Sequence, residues 1–361
     1  MEKFCEHMKT KTFRFLLLTE SEILTCLFDL NKVTTLFHLR VCGCGGKKDA
    51  QLFYYFVESQ RSPDHDPLIL WFSGGPGCSS FSAFFYENGP LYLELEGDID
   101  GLPKLSLNKN SWTQLANILY VDVPVGSGFS YSKTQEGYYV DDSKHAKQTY
   151  EFLRKWLNSY PKYLENNLYI GGDSYSGIPV PMVVQEIVRV NEANCKGSYV
   201  NIDSTISNAD QILKPSIRWS NENERRVMGT KCNFTIFLGN KRLWQRCNRS
   251  LAYKNDVLSS VPYHRNLTEA SLRALIYSGD HDMIVPHVST QEWINSLNLT
   301  LSRAWRPWFV EDQVAGYTKW FTKGNYSLTF ATVKGAGHVP PMYKPKECYT
   351  MFERWLAYNP L

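Results

Sequence analysis

The segment at residues 171–177, Gly-Gly-Asp-Ser-Tyr-Ser-Gly, constrains the fold of this chain more than any other feature. It follows an apolar run at 167–170 and precedes an amphipathic helix pattern at 181–190. A strand, a tight turn carrying one serine and a helix form the layout of a nucleophile elbow. The strict pattern has glycine two residues after the serine, where this chain has Ser176. Ser174 is therefore a candidate nucleophile, and a plain strand-to-helix turn is the alternative.

An acid and a base follow two later apolar runs. Residues 272–277 read as a buried strand that ends before Asp280 and Asp282, and residues 328–333 read as a strand that ends before His338. In open α/β sheets the active residues collect beyond the carboxyl ends of the strands. The order serine, aspartate, histidine is that of the α/β-hydrolase fold. The chain therefore predicts a catalytic triad with either aspartate as the acid.

A glycine-rich loop supplies the third element of such a site. The apolar strand pattern at 67–72 leads into residues 73–80, Ser-Gly-Gly-Pro-Gly-Cys-Ser-Ser. Glycines let the backbone approach a substrate closely and direct N–H groups at a developing oxyanion. The expected donors are the N–H groups of Gly75 and of Tyr175, the residue after the candidate nucleophile. A tight turn without function is the alternative.

These motifs resemble the plant serine carboxypeptidase-like family, an α/β-hydrolase family of serine peptidases. The resemblance covers roughly residues 45–190 and 230–361, and its matching blocks lie at 51–57, 71–80, 111–122, 126–131, 171–177, 277–286, 305–308, 313–318 and 335–340. It implies a mixed, mostly parallel central sheet and a helical cap, here shortened. It also assigns Ser174 as nucleophile, Asp282 as the orienting acid in preference to Asp280, and His338 as base.

The family contains two activities, and a few substrate-binding residues distinguish them. The residues expected to bind substrate here are Ser73, Gly74, Asp173 and Val339. Its peptidases hold the substrate's terminal carboxylate with an asparagine before the glycine turn, a glutamate before the nucleophile and a glutamate after the histidine. This chain has Ser73, Asp173 and Val339 at those positions. Ser73 and Asp173 resemble acyltransferases that use 1-O-glucose esters. The resemblance thus favours acyl transfer to an alcohol acceptor in plant secondary metabolism, with peptide hydrolysis as the alternative.

Cysteines and glycosylation sequons bear on the compartment. The resemblance implies a disulfide between Cys78 and Cys247, and it assigns no partner to Cys195, Cys232 or Cys348. Disulfides are typical of oxidising compartments. N-x-Ser/Thr sequons begin at Asn233, Asn248, Asn266, Asn298 and Asn325. The family is secretory, so the expected location is the vacuole or the extracellular space, although residues 1–40 contain no clear signal peptide.

The chain departs from the family in two places. We expect an atypical N-terminal segment at 1–44, the two parts of the hydrolase core at 45–190 and 231–361, and a truncated cap region at 191–230. Within the last, residues 203–217 suggest a loop and 218–227 a helix. The helix after Ser174 runs directly into residues that resemble the family's cap insertion, so an interior sheet strand is predicted to be missing. A missing strand leaves backbone groups of its neighbours unpaired. An inactive truncated form, or a binding protein without turnover, is therefore a further hypothesis.

Composition excludes several other function classes. A net charge of +3 gives no basic field for nucleic acid. No apolar stretch reaches the roughly 18 residues that span a bilayer. The eight histidines and nine cysteines show no paired spacing of metal ligands, so neither metal nor cofactor is expected. The expected partners are a small-molecule acyl donor and acceptor, or a peptide C-terminus, and the sequence indicates no oligomeric state.

Overall fold

The computed structural model describes residues 13–17, 24–30, 33–44, 50–99, 102–194, 202–207 and 245–361. Its strands are β1 (Phe13–Leu17), β2 (Leu24–Leu30), β3 (Val33–Cys44), β4 (Ala50–Val57), β5 (Leu68–Phe72), β6 (Leu91–Ile99), β7 (Leu102–Leu107), β8 (Asn117–Val121), β9 (Tyr131–Ser132), β10 (Val140–Asp141), β11 (Leu168–Gly172), β12 (Ile202–Ser207), β13 (Tyr253–Lys254), β14 (Arg273–Gly279), β15 (Thr300–Val310), β16 (Gln313–Lys323) and β17 (Tyr326–Val333). Its α-helices are α1 (Phe81–Tyr86), α2 (Asp142–Ser159), α3 (Pro179–Asn194), α4 (Val261–Leu267), α5 (His287–Asn295), α6 (Pro340–Tyr343) and α7 (Pro345–Leu356).

One large mixed sheet organises the described residues. Its order is β1-β2-β3-β4-β8-β5-β11-β12-β14-β17-β16-β15, and β9 pairs with β4. The neighbours from β8 to β17 run parallel, whereas the strands at both edges are antiparallel. This is the α/β fold with a mixed, mostly parallel centre that the sequence predicts.

Strand β5, near the centre of the sheet, is apolar along its whole length because both faces of the sheet are covered. Every residue of β5 is buried. Leu68, Leu70 and Phe72 pack in one hydrophobic cluster with α2, α3, α4 and α5, whereas Ile69 and Trp71 pack in a second cluster with α1 and α7. Side chains alternate between the two faces of a strand, and a parallel sheet covered on both faces therefore needs continuous apolar runs. The result is three layers, with the sheet between two sets of helices.

The prediction of a missing interior strand is wrong. Ile202–Ser207 forms β12, which pairs parallel with β11 and, at Thr205–Ser207, with β14. Its sequence, Ile-Asp-Ser-Thr-Ile-Ser, lacks the continuous apolar run of its neighbours, which is why residues 203–217 suggested a loop. The backbone groups on the facing edges of β11 and β14 are thus paired through this strand. The helix predicted at 218–227 lies outside the described residues.

The N-terminal segment also joins the sheet. β1, β2 and β3 form an antiparallel series that continues onto β4. Three stretches of the segment at 1–44, which was expected to be atypical, are strands. Residues 37–41 of β3, Phe-His-Leu-Arg-Val, alternate between apolar and polar, which is typical of a strand.

Candidate active site

The elbow at the end of β11 holds Ser174 in a backbone conformation that few non-glycine residues adopt. Its φ is +55°, and it lies two residues after Gly172, the last residue of the strand. A Cβ atom at Gly172 would lie 2.4 Å from the carbonyl oxygen of Phe72, so only glycine fits there. Ser176 donates a hydrogen bond from its Oγ to the same carbonyl at 2.8 Å. The serine that replaces the usual glycine is thus accommodated by a partner, and the turn keeps its elbow shape.

The structure brings together Ser174, His338 and Asp282. The Nε2 atom of His338 lies 2.8 Å from the Oγ of Ser174, and its Nδ1 atom lies 2.9 Å from an Oδ2 atom of Asp282. The other carboxylate oxygen of Asp282 accepts hydrogen bonds from the backbone N–H groups of Ile284 and Val285. The carboxylate is fully buried and the imidazole is 19% exposed. This is the arrangement of a nucleophile, a base and an orienting acid.

The alternative acid, Asp280, has a different partner. Its Oδ1 atom accepts a hydrogen bond from the backbone N–H of Gly335 at 2.7 Å. It therefore links the loop after β14 to the loop after β17, which carries His338. Asp280 stabilises the position of the base loop from outside, and Asp282 contacts the base itself.

The glycine-rich loop packs directly on the elbow. A Cβ atom at Gly74 would lie 2.5 Å from the backbone nitrogen of Tyr175 and 2.9 Å from the Cβ of Ser174, so a side chain there would displace the nucleophile turn. The next residue, Gly75, has a φ of +113°, which favours glycine, and is exposed. Gly75 and Tyr175 thus lie on the two backbone segments that meet beside Ser174. Their role as oxyanion donors stays a prediction.

Asp122, which the motif reading did not single out, holds the far end of this loop. Its Oδ1 atom accepts from the Ser79 hydroxyl at 2.7 Å and from the Ser80 N–H at 2.9 Å, and its Oδ2 atom accepts from the Phe129 N–H at 3.0 Å. Burial raises the pKa of Asp122 to about 7, although these three hydrogen bonds oppose the rise. The residue ties the glycine-rich loop to the loop that follows β8.

A disulfide between Cys78 and Cys247 joins the glycine-rich loop to a segment 169 residues away, as the resemblance implies. Backbone hydrogen bonds flank it: Ser79 donates to the Arg246 carbonyl at 2.7 Å, and Asn248 donates to the Gly77 carbonyl at 2.9 Å. Of the remaining cysteines, Cys348 is buried and free, and burial raises its thiol pKa. Cys195 and Cys232 lie outside the described residues.

The sequon at Asn248 lies in a buried part of the folded chain, and its glycosylation stays a prediction. Asn248 is 5% exposed, and its amide nitrogen donates to the Gly126 carbonyl at 3.0 Å. Asn266, Asn298 and Asn325 are exposed, and their glycosylation stays a prediction. Asn233 lies outside the described residues.

A buried pair of carboxyl groups, Glu87 and Asp173, lies beside the triad. Glu87 belongs to none of the motifs that predict the site from the sequence. Burial is the main cause that raises the pKa of both Glu87 and Asp173. The charge of Asp173 raises the pKa of Glu87 further, whereas Arg246 lowers both pKa values. His338, and then the Ser73 hydroxyl, lower the pKa of Asp173. Among the described residues, no partner reaches the buried Oε2 of Glu87 or the buried Oδ1 of Asp173.

The Tyr175 side chain is fixed by a buried carboxylate at the start of α2. Its hydroxyl donates to the Oδ1 of Asp142 at 2.6 Å, and the Tyr253 hydroxyl donates to the same oxygen at 2.7 Å. The second oxygen of Asp142 accepts from the Val257 N–H at 3.0 Å. Burial and the neighbouring carboxylate raise the pKa of the Tyr175 phenol. The residue after the nucleophile is therefore anchored to two distant parts of the chain.

Val339, the remaining predicted substrate-binding residue, follows the base and is half-buried. It offers no side-chain hydrogen bond.

Over the part of the chain that the structure describes, no group of three or more histidine, cysteine or acidic residues is placed to hold a metal ion. In the same part, no helix has the length and apolar character needed to cross a bilayer.

The three-layer fold, with Ser174 at a strand-to-helix elbow, defines an enzyme-type α/β-hydrolase scaffold. The chain belongs to the serine carboxypeptidase family, whose model matches residues 42–215 and 220–358. It is 37% identical to serine carboxypeptidase-like 13 of Arabidopsis thaliana over 389 residues, which cover 88% of this chain and 90% of that protein. Serine carboxypeptidase-like 17 of the same plant is 38% identical over 396 residues, which cover 88% and 89% of the two chains.

A solved structure agrees in fold. Kex1(delta)p, a prohormone-processing carboxypeptidase from Saccharomyces cerevisiae, superimposes with a TM-score of 0.69 at 18% identity, over 90% of this chain and 91% of that one. The aligned stretch of 389 residues with the first plant relative exceeds the 361 residues of this chain. The alignment therefore needs gaps in this chain.

Proposed function

We propose that this protein transfers acyl groups through an acyl-Ser174 intermediate, from a 1-O-glucose ester to an alcohol acceptor. The observation that carries the proposal is the chain of contacts from the Oγ of Ser174 through His338 to Asp282, at 2.8 and 2.9 Å. Such distances are those at which a general base takes a proton from a nucleophile. Membership of the serine carboxypeptidase family supports the same chemistry.

The reaction would proceed in two matching halves. The Ser174 Oγ forms a bond to the ester carbonyl carbon while its proton passes to the Nε2 of His338. The tetrahedral intermediate then breaks its bond to the sugar oxygen, which takes that proton from His338 and leaves as free glucose. An acceptor hydroxyl attacks the acyl-serine with the same base, and Ser174 regains its proton when the new ester departs. Asp282 orients the imidazole and stabilises its cationic form.

The charge on the carbonyl oxygen needs donors in both halves. The proposed donors are the N–H groups of Gly75 and Tyr175, because the glycine-rich loop and the elbow meet beside Ser174. A preorganised pair of donors stabilises the oxyanion more than the carbonyl of the bound ester, so it lowers the barrier. Losing one donor in such a site typically lowers the rate by about 10²–10³-fold.

The choice of acyl transfer over peptide hydrolysis depends on Ser73, Asp173 and Val339. Val339 cannot hydrogen-bond a substrate carboxylate, and Ser73 and Asp173 are shorter than the asparagine and glutamate of the family's peptidases. Each lost hydrogen bond to a charged group weakens binding by about 1.5–3 kcal/mol. Two such losses would lower peptide turnover by about 10²–10⁴-fold. A glucose ester has no terminal carboxylate and is not affected.

Carboxypeptidase activity is the second candidate, and the Glu87–Asp173 pair favours it. Burial raises the pKa of both groups, so at acidic pH both are protonated and can donate hydrogen bonds. Two neutral carboxyl groups that each present an oxygen without a partner suit a substrate carboxylate. A peptidase of this kind would lose activity as the pH rises and the pair ionises.

Covalent labelling tests the common intermediate, and a substrate comparison tests the final product. A fluorophosphonate probe should label the purified protein and should fail to label Ser174→Ala. Ser176→Ala is a matched control two residues away, and its labelling should persist. A separate, unlabelled sample of the wild-type protein is then given a 1-O-acylglucose with an alcohol, or a blocked dipeptide. New ester supports acyl transfer, and release of the terminal amino acid supports the peptidase. A soluble, folded protein that remains unlabelled contradicts both.

We also propose that the protein resides in an oxidising secretory compartment, the vacuole or the extracellular space. The Cys78–Cys247 disulfide supports this, because such bonds persist where thiols are not kept reduced. The exposed sequons at Asn266, Asn298 and Asn325 support it as well. An endoglycosidase that removes N-glycans should lower the apparent mass of protein isolated from plant tissue. An unchanged mass would argue against passage through the secretory pathway.

A further inference from the structure

A second cavity lies far along the sheet from Ser174, between the face of β15–β17 and the end of helix α7. Its volume is about 470 Å³, within the size range of small-molecule sites. Four of its wall residues are basic, Arg273, Arg303, Arg306 and Lys319, and none of the described residues in its wall is an aspartate or glutamate. The cavity shares no wall residue with the proposed catalytic site.

Aromatic side chains hold two of the guanidinium groups, those of Arg273 and Arg303, in place. Arg273 lies over the rings of Tyr358 and Trp355, 3.6 and 4.5 Å from their centroids. Arg303 lies 4.9 Å from the ring centroid of Trp320. Arg273 also donates a hydrogen bond from its Nη2 atom to the backbone carbonyl of Trp355. Stacking on an aromatic face lets the in-plane N–H groups of Arg303 form a fork that matches a carboxylate.

Arg306 is held differently, by the end of the described chain. Its Nη2 atom donates to the backbone carbonyl of Leu361 at 2.8 Å, which uses one of its five donors. Lys319 lies 5.5 Å from the ring centroid of Trp305 on the adjacent strand. Four cations on neighbouring strands without an acidic side chain in the wall produce a positive potential, which attracts an anion.

The wall also contains the aromatic side chains of Trp320, which is half-buried, and Tyr358, which is exposed. A ligand that suits both the charge and these rings carries one acidic group and a flat apolar body. We propose that this cavity is a second binding site, for small ring-bearing carboxylic acids in their anionic form. The site is separate from the triad and does not depend on the proposed acyl transfer.

Isothermal titration calorimetry with benzoate tests this proposal, and benzamide is the uncharged control of the same shape. Benzoate should bind at least about 10-fold more tightly than benzamide, because one charge-assisted pair with arginine is worth about that factor. Inorganic phosphate should bind more weakly than benzoate, since it lacks the ring. Equal affinity for benzoate and benzamide, or for benzoate and phosphate, would overturn the proposal.

Three variants locate the binding. Arg303→Gln combined with Arg306→Gln should weaken benzoate about 10-fold or more. Lys323→Gln is the matched control, because Lys323 lies next to the cavity but pairs with Glu269, and it should leave the affinity unchanged. Ser174→Ala should also leave it unchanged. Loss of binding in Ser174→Ala, or full binding in the double arginine variant, would place benzoate elsewhere and overturn the site.

Two further measurements keep the test independent of how the variants fold. Raising sodium chloride from about 0.05 to about 0.5 M should weaken benzoate binding to the wild-type protein, because salt screens a charged site. Affinity that is independent of salt would contradict the electrostatic basis. Asn325 lies in the cavity wall and begins a sequon, so the titration is run on both wild type and Asn325→Gln. Benzoate should bind to the unglycosylated variant at least as tightly.

Discussion

Removing the hydroxyl of Tyr175 should slow acylation of Ser174 as well as destabilise the protein. Tyr175 supplies a proposed oxyanion N–H, and its side chain is tied to the buried carboxylate of Asp142 at 2.6 Å. Tyr175→Phe deletes one hydrogen bond to a charged group, a change of about 1.5–3 kcal/mol. Tyr253 and the Val257 N–H still serve the carboxylate, so no buried charge is left alone. We therefore expect the lower end of the range, about 1.5 kcal/mol of unfolding free energy.

The rise in the activation free energy of acylation should be similar in size to this loss of stability. The full loss of an oxyanion donor lowers rates by about 10²–10³-fold, and a displaced donor loses part of that. We expect the second-order rate of fluorophosphonate labelling to fall about 10-fold in Tyr175→Phe. The assay is gel-based labelling over time, at a temperature where both proteins are fully folded. Ester hydrolysis should show a lower kcat with a nearly unchanged KM.

Tyr163→Phe is the matched control for this prediction. Tyr163 is a buried tyrosine whose hydroxyl donates to the Oε1 of Glu58 at 2.6 Å, in a different part of the chain. Its removal should cost similar stability and leave the labelling rate unchanged. If both variants slow labelling equally, or if neither does, the contact between Tyr175 and Asp142 has no role in positioning the oxyanion site.

Two further predictions concern stability. Replacing Cys78 and Cys247 together by serine opens a loop that spans 169 residues, and the chain-entropy relation gives a loss of about 5 kcal/mol. Denaturant unfolding should show this loss, and wild type under reductant should match the variant; a loss below about 1 kcal/mol would contradict the relation here. His264 is buried against Trp293, and burial lowers its pKa to about 4 from an ordinary value near 6.5. As the pH falls from about 6.5 to 4 only the unfolded chain takes up this proton, so stability is lost by up to about 1.4 kcal/mol per pH unit. His264→Phe keeps the stacking and should remove that part of the slope in unfolding measurements, and an identical slope would show that His264 is protonated in the folded protein.

The positions of the triad could be predicted from the sequence because each polar group follows a continuous apolar run. Ser174, Asp282 and His338 lie within five residues of the ends of β11, β14 and β17, and a parallel sheet brings those ends to one edge. β12 escaped prediction because Asp203, Ser204 and Thr205 interrupt its apolar pattern, and its pairing depends on neighbours distant in the chain.

Glu87 and Asp142 escaped prediction for a different reason. Glu87 ends a short aromatic helix, and Asp142 begins a helix where an acidic residue is common. Neither belongs to a motif that indicates function. Their importance comes from burial and from contacts across the fold, Asp142 with Tyr175 and Glu87 with the charge of Asp173, and no local pattern contains that information.

The presence of β12 changes how the shortened middle of the chain should be understood. The hypothesis of an inactive form depended on a gap between the strand that carries the nucleophile and the strand that carries the acid. β12 pairs with both, Ile170 opposite Thr205 and Thr205 opposite Ala274, so the sheet fixes the separation of β11 and β14. Ser174 lies 2.8 Å and Asp282 2.9 Å from His338, so the structure keeps the three groups together at the edge of a continuous sheet. The hypothesis of an inactive form therefore loses the gap on which it depended.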